Sequence, residues 1–105
     1  MHVEVDGKRY KLEWREAALL LLMRLVEWGA LTLSDVELVA SGHIGALRAV
    51  RRLMELGLVE GFNVRGTRIF ALTEEGARVA DAIRRKAELA GLWRIVEEGV
   101  GSGGA

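Results

Sequence analysis

Five arginines stand in the middle of the chain. Arg48, Arg51 and Arg52 fall within His43–Leu56, and Arg65 and Arg68 lie on either side of Gly66. A guanidinium group stays charged at ordinary pH and carries several N–H donors, so the chemistry that suits such a set is contact with phosphate oxygens. Spacing of 48, 51 and 52 puts these three on one side of a helix, opposite an apolar stripe of Ala46, Leu47, Val50, Leu53 and Met54. Other chemistries have no comparable support. Nucleophilic catalysis and zinc binding need convergent His, Cys or carboxylate groups, and the chain has no cysteine and only His2 and His43. No phosphate-binding loop is present, and the many carboxylates fall at helix starts or opposite basic neighbours, where capping and solvation account for them. The expectation is a binding protein, not an enzyme, with no cofactor and no metal.

Composition makes any anion-binding surface a local matter. Among 105 residues, 15 Lys plus Arg balance 15 Asp plus Glu, so bulk charge draws the protein neither to nucleic acid nor to an acidic membrane. From Ser34 to Leu72, five arginines face Asp35, Glu37, Glu55 and Glu60, a net of plus one. Half the residues are hydrophobic, enough for one core. The opening MHVEVDGKRYKL alternates polar and apolar residues unlike a secretory signal, and the apolar run Ala17–Met23 is too short to span a bilayer. A cytoplasmic protein is therefore expected. Arginine supplies 12 of the 15 basic residues, there is no Gln and the only Asn is Asn63, a composition that leans toward a thermophile.

The elements that must position these arginines can be read from the same sequence. Val3 to Leu12 contains an Asp6–Gly7 pair suited to a type I′ turn, which would set Val5 opposite Lys8, Val3 opposite Tyr10 and Met1 opposite Leu12. One face of that hairpin carries nearly all its apolar groups and must cover something. Trp14–Trp28, free of Gly and Pro and stopped by Gly29, predicts a helix with more apolar surface than one core contact uses. Ser34 and Glu37 fit a capping box for a short helix from Asp35 to about Ala40, which Ser41–Gly42 breaks. His43–Leu56 follows as a third helix with Gly57 as its stop. Leu58–Glu60 and Thr67–Leu72 read as short strands around a loop, Gly61–Gly66. Thr73 can cap a long fourth helix with an apolar stripe of Val79, Ala80, Ile83, Ala87 and Ala90. Gly91 interrupts it before a further helical piece, Leu92–Val96. Leu25, Leu38, Val50, Leu53, Leu58, Ile69 and Ile83 are the expected core, and Trp14, Trp28 and Trp93 are expected in the core or at a dimer contact.

A short helix, a tight turn, a longer helix, a β-hairpin and a last helix make a helix-turn-helix followed by a wing. Leu33–Ala40, then Val50–Val59 with Arg52–Leu53 and Gly57–Leu58–Val59, then Phe70–Gly76 with Leu72–Thr73–Glu74–Glu75, resemble winged-helix regulators of the MarR and PadR type. The resemblance covers about half the chain. It implies an α+β, mostly α fold: a winged helix-turn-helix with an N-terminal β-hairpin and a long C-terminal helix. Residues 1–98 would form that single domain and 99–105 a disordered Gly/Ser tail. The resemblance further implies a regulator of transcription that binds double-stranded DNA, with His43–Leu56 in the major groove and Gly61–Gly66 reaching the backbone or minor groove. His43, Ile44, Arg48, Arg51, Arg52, Arg65 and Arg68 are then the expected DNA contacts, Ile44 against a thymine methyl and Arg48 on a guanine. Excess apolar surface on the first and last helices points to a homodimer. A second possibility stays open. The first turn of the third helix, His43 to Leu47, contains no Ser, Thr, Asn or Gln for base readout, so Ile44 and Leu47 could instead dock on a partner protein, with no DNA ligand.

Overall fold

The computed structural model of the protein describes residues 1–40 and 42–89, and over these the chain is α+β. In order come β1 (His2–Val5), β2 (Lys8–Lys11), α1 (Trp14–Leu25), β3 (Ala30–Thr32), α2 (Leu33–Ala40), α3 (His43–Glu55), β4 (Val59–Val64), β5 (Thr67–Leu72) and α4 (Glu74–Leu89). The strands form two small antiparallel sheets, β1–β2 and β3–β5–β4. Trp93, Leu92–Val96, the break at Gly91 and the tail 99–105 lie outside the described residues.

The first hairpin forms as its residue types dictate. Asp6 and Gly7 both have positive φ, 51° and 81°, as a type I′ turn requires. Val3 pairs with Tyr10, Val5 with Lys8, and the Leu12 N–H donates to the Met1 carbonyl at 2.8 Å. Val3, Tyr10 and Leu12 are buried, and what this face covers is α4. The Glu75 carboxylate accepts from the Tyr10 hydroxyl and from Lys8 Nζ, Asp6 pairs with Arg78 at 3.2 Å, and Lys86 Nζ donates to the His2 carbonyl at 2.7 Å. Burial, then the bond to Glu75, push the Tyr10 hydroxyl up to a pKa of about 12. The hydrogen bonds from Tyr10 and Lys8 hold the Glu75 carboxyl below its ordinary range.

One core joins the remaining elements. Leu19, Leu20 and Met23 of α1, Val36 and Ala40 of α2, Ala46, Val50 and Leu53 of α3, and Val79, Ala80 and Ile83 of α4 are all buried within it. Leu31 of β3 pairs with Phe70 of β5, both buried, which pins the sheet to the helices. Thr73 caps α4 through Gly76 N–H to Oγ1 at 3.0 Å. Gly76 also lets α4 meet the chain leaving α3: a Cβ there would stand 1.9 Å from the Leu58 carbonyl oxygen.

Several expectations need correction. The first helix ends at Leu25 and not Trp28, because the chain must turn extended at Val26 to deliver β3 to β5, with Gly29 at φ 64° in the reversal. The second starts at Leu33, since the reciprocal cap is Thr32 with Asp35 (3.1 and 3.3 Å) and not Ser34 with Glu37. Gly61–Gly66 is not a loop: β4 runs to Val64, opposite Thr67, and only Arg65–Gly66 turns. Val50, Leu53, Leu58 and Ile83 are core, but Ile69 is half-buried, Leu25 is exposed and Leu38 is 84% exposed. Leu38 stands two positions from both Val36 and Ala40, which puts it on the outer side of α2. Trp14 and Trp28 are likewise exposed, Trp28 by 88%, and so belong to no core. No helix among the described residues is long and apolar enough to cross a membrane.

Candidate functional site

The site is the outer side of α3 with the β4–β5 hairpin beside it. Gly42, at φ 123°, sets the chain into α3, and Glu37 of α2 closes the turn by bonding Nδ1 of His43 at 2.8 Å. Ala46, Ala49, Val50 and Leu53 face the core, so helical periodicity turns the remaining positions to solvent. Ile44 is 76% exposed, Arg48 and Arg51 are exposed, and Leu47 is half-buried. The hairpin is held close to the C-terminal half of α3 because β4 has no side chain at Gly61, where a Cβ would come within 3.3 Å of Met54 Cε and 3.5 Å of Phe70 Cε1. A shallow groove results, lined by Leu47, Arg51, Met54, Glu55, Arg68 and Phe70.

The hairpin has two unlike faces. Asn63 pairs with Arg68 and Gly61 with Phe70 on the side toward α3, whereas Phe62 pairs with Ile69 and Val64 with Thr67 on the other. At its tip Arg65 has φ 51° and Gly66 φ 80°. Left-handed backbone disfavours an arginine, because its Cβ crowds the following carbonyl, and Asn, Asp or Gly are the usual residues there. The tip thus carries a long cation on a backbone conformation that disfavours it.

Six of the seven expected contacts, His43, Ile44, Arg48, Arg51, Arg65 and Arg68, are exposed on these two elements. Arg48, Arg51, Arg65 and Arg68 have no hydrogen bond or ion pair among the described residues. Arg52 is different. Its Nη1 lies 3.3 Å from Glu16 Oε1, and its Nη2 donates to the Lys11 carbonyl at 2.7 Å, so it ties α3 to α1 and β2. Glu16 is 1% exposed, and its carboxylate also accepts the Glu13 N–H at 2.7 Å. A buried carboxylate needs such donors. Nothing local in the sequence marks this pair, which is 36 residues apart. No cluster of three or more His, Asp or Glu suited to a metal ion occurs among the described residues. The chain matches no family model, and no curated protein or solved structure is significantly similar to it.

Proposed function

We propose that the protein is a winged helix-turn-helix of the MarR- and PadR-like type that binds double-stranded DNA and regulates transcription as a homodimer. In this assignment α2 and α3 are the helix-turn-helix, α3 enters the major groove, and β4–β5 is the wing. The observation that carries it is how the charges are distributed. Lys8, Arg24, Arg52, Arg78 and Lys86 are each engaged with a carboxylate or a carbonyl. Arg48, Arg51, Arg65 and Arg68 are exposed without such a partner among the described residues, as Arg9, Lys11, Arg15 and Arg85 also are, but the first four are grouped on α3 and the adjoining hairpin: Arg48, Arg51 and Arg68 line two adjacent grooves, and Arg65 stands at the tip of the hairpin that carries Arg68. Unpaired guanidinium groups on a helix and an adjoining hairpin suit a phosphate backbone, with Arg48 nearest base edges. With zero net charge over the chain such binding must be local, and each phosphate contact would make it salt-sensitive.

Fluorescence anisotropy with a labelled random-sequence duplex, titrated across salt concentrations, tests the proposal. Affinity should fall steeply as salt rises, and absence of binding at low salt would remove DNA as the ligand. Exposed Trp14, Trp28 and Leu25 support self-association, with two copies of α3 about one DNA turn apart. Light scattering that finds only monomer at micromolar concentration excludes the homodimer. A protein-docking role is the second reading, favoured by the exposure of Leu38 and Ile44 at the helix-turn-helix. It would gain if a heparin column failed to retain the protein at low salt.

A further inference from the structure

Arg15 is the second residue of α1, well away in sequence from the other arginines of the surface. It is exposed, and it has no hydrogen bond or ion pair among the described residues. In space it stands beside the helix-turn-helix. A Cβ built on Gly45, in the first turn of α3, would lie 3.5 Å from Arg15 Nη1 and 2.8 Å from the Ala40 carbonyl oxygen. The missing side chain at Gly45 leaves the opening through which the Arg15 guanidinium comes up against α3. Arg68, by contrast, lines the groove beside Met54 and Glu55, near the other end of the same helix. Gly45 and Arg52 lie on the side of α3 that meets α1, whereas Leu47 and Met54 lie on the side that meets the β4–β5 hairpin. Arg15 and Arg68 therefore flank α3 on opposite sides, as cations facing the two walls of a groove that α3 occupies would.

We infer that Arg15 is a phosphate-binding residue of the DNA interface and that it grips the backbone across the groove from Arg65 and Arg68, an assignment that rests on the DNA-binding proposal above. Its role is positional: two-sided anchoring fixes the depth and tilt of α3, which contacts on one wall alone leave free to rock. Phosphate is the fitting ligand, because a flexible exposed cation with no protein partner at the rim of the helix-turn-helix meets the backbone before it can reach a base edge.

The salt dependence of binding to a random duplex provides the test, comparing the parent with Arg15→Gln, Arg15→Lys and, as a control for bulk charge, Arg85→Gln on the exposed side of α4. Arg15→Gln should reduce the magnitude of the log–log salt slope by about 0.9, the signature of one lost phosphate contact. Arg15→Lys should keep the slope, and Arg85→Gln should not change it. If the parent binds with a steep slope and Arg15→Gln retains it, the inference is overturned while the DNA reading stands. Equal losses in Arg15→Gln and Arg85→Gln also overturn it, since bulk charge then suffices. A parent without salt-dependent binding overturns the DNA reading itself, and this assignment with it. Circular dichroism melting checks that each variant folds, and Arg15→Met serves as the neutral variant if Arg15→Gln does not.

Discussion

The two β-hairpins turn the same corner with different residues. Asp6–Gly7 and Arg65–Gly66 have almost identical φ pairs, 51° and 81° against 51° and 80°. In the first, the left-handed position holds Asp, which tolerates it, and the Asp6 carboxylate goes on to pair with Arg78 of α4. In the second, the same strained position holds an arginine that extends into solvent and bonds to nothing among the described residues. Fold stability accounts for the first hairpin's turn: Asp6 and Lys8 are paired with α4, Val3, Tyr10 and Leu12 are buried, and the turn residues are the favoured ones. It does not account for the second, whose tip would be more stable with a smaller residue. Equal geometry with unequal residue choice sets apart a turn whose residues suit its backbone from one whose residue does not, and the DNA proposal supplies a reason for the second.

The contrast between the hairpins is open to experiment, and the greatest change should come from the core beneath both of them. Leu53→Ala removes a fully buried side chain from the common core and should cost about 2–5 kcal/mol as a cavity. Urea denaturation would measure it, and a change under about 1 kcal/mol would mean that α3 is not seated as described. Next in size, Arg48→Ala should cost about 1–3 kcal/mol on a preferred duplex while barely changing random DNA. Arg65→Ala should weaken both alike and lower the salt slope by about 0.9. Identical behaviour of the two variants in competition anisotropy would erase the distinction between base contact and backbone anchor.

Turn substitutions test the contrast directly. Gly7→Val meets open space, so its cost of about 1–2 kcal/mol comes from backbone strain alone, and it should lower the melting temperature without changing DNA affinity per folded molecule. Arg65→Asn should act in the opposite sense, raising stability by up to about 1 kcal/mol while weakening DNA binding. A destabilised Arg65→Asn would show that the arginine supports the fold after all.

The smallest effect is one of pH and belongs to the first hairpin. Tyr10 titrates at about 12 in the folded protein against 10.0 ordinarily, so its contribution is full below pH 10 and is lost as pH rises toward 12. The Glu75 carboxyl is shifted down, so its contribution holds above the ordinary carboxylate range and disappears as pH falls through the lowered value. Tyr10 is the only tyrosine, which makes ultraviolet absorbance a clean probe. A midpoint near 10 would show that Tyr10 is neither buried nor bonded to Glu75 in solution.

What the sequence disclosed was what is decided locally. Asp6–Gly7, the Thr73 cap and the Gly57 stop depend on neighbours within a few residues, and each falls where residue types place it. What it concealed depends on partners far along the chain. β3 is three residues long and becomes a strand only because β5, about forty residues later, lies alongside it. Drawing the chain out to β3 also shortened α1 and moved the α2 cap to Thr32, two effects of one distant pairing. In the run Leu19–Leu22 every position is apolar, so periodicity could not tell the buried Leu19 and Leu20 from the half-buried Leu21 and Leu22. At the site, helical spacing grouped Arg48, Arg51 and Arg52, but only the position of Glu16 shows that Arg52 is turned inward. Arg15 was invisible to spacing because it reaches α3 from another helix.

The contact of Gly76 with the Leu58 carbonyl is a joint without play. Backbone meets backbone there, so a tilt of α4 cannot be absorbed by a side chain changing rotamer and must pass into the strand that begins at Val59. Thr73 reinforces the joint, its N–H bonding the Leu58 carbonyl at 3.1 Å and its hydroxyl the Gly57 carbonyl at 2.6 Å. α4 is therefore seated backbone to backbone on the residue just before β4, the strand that leads to Arg65.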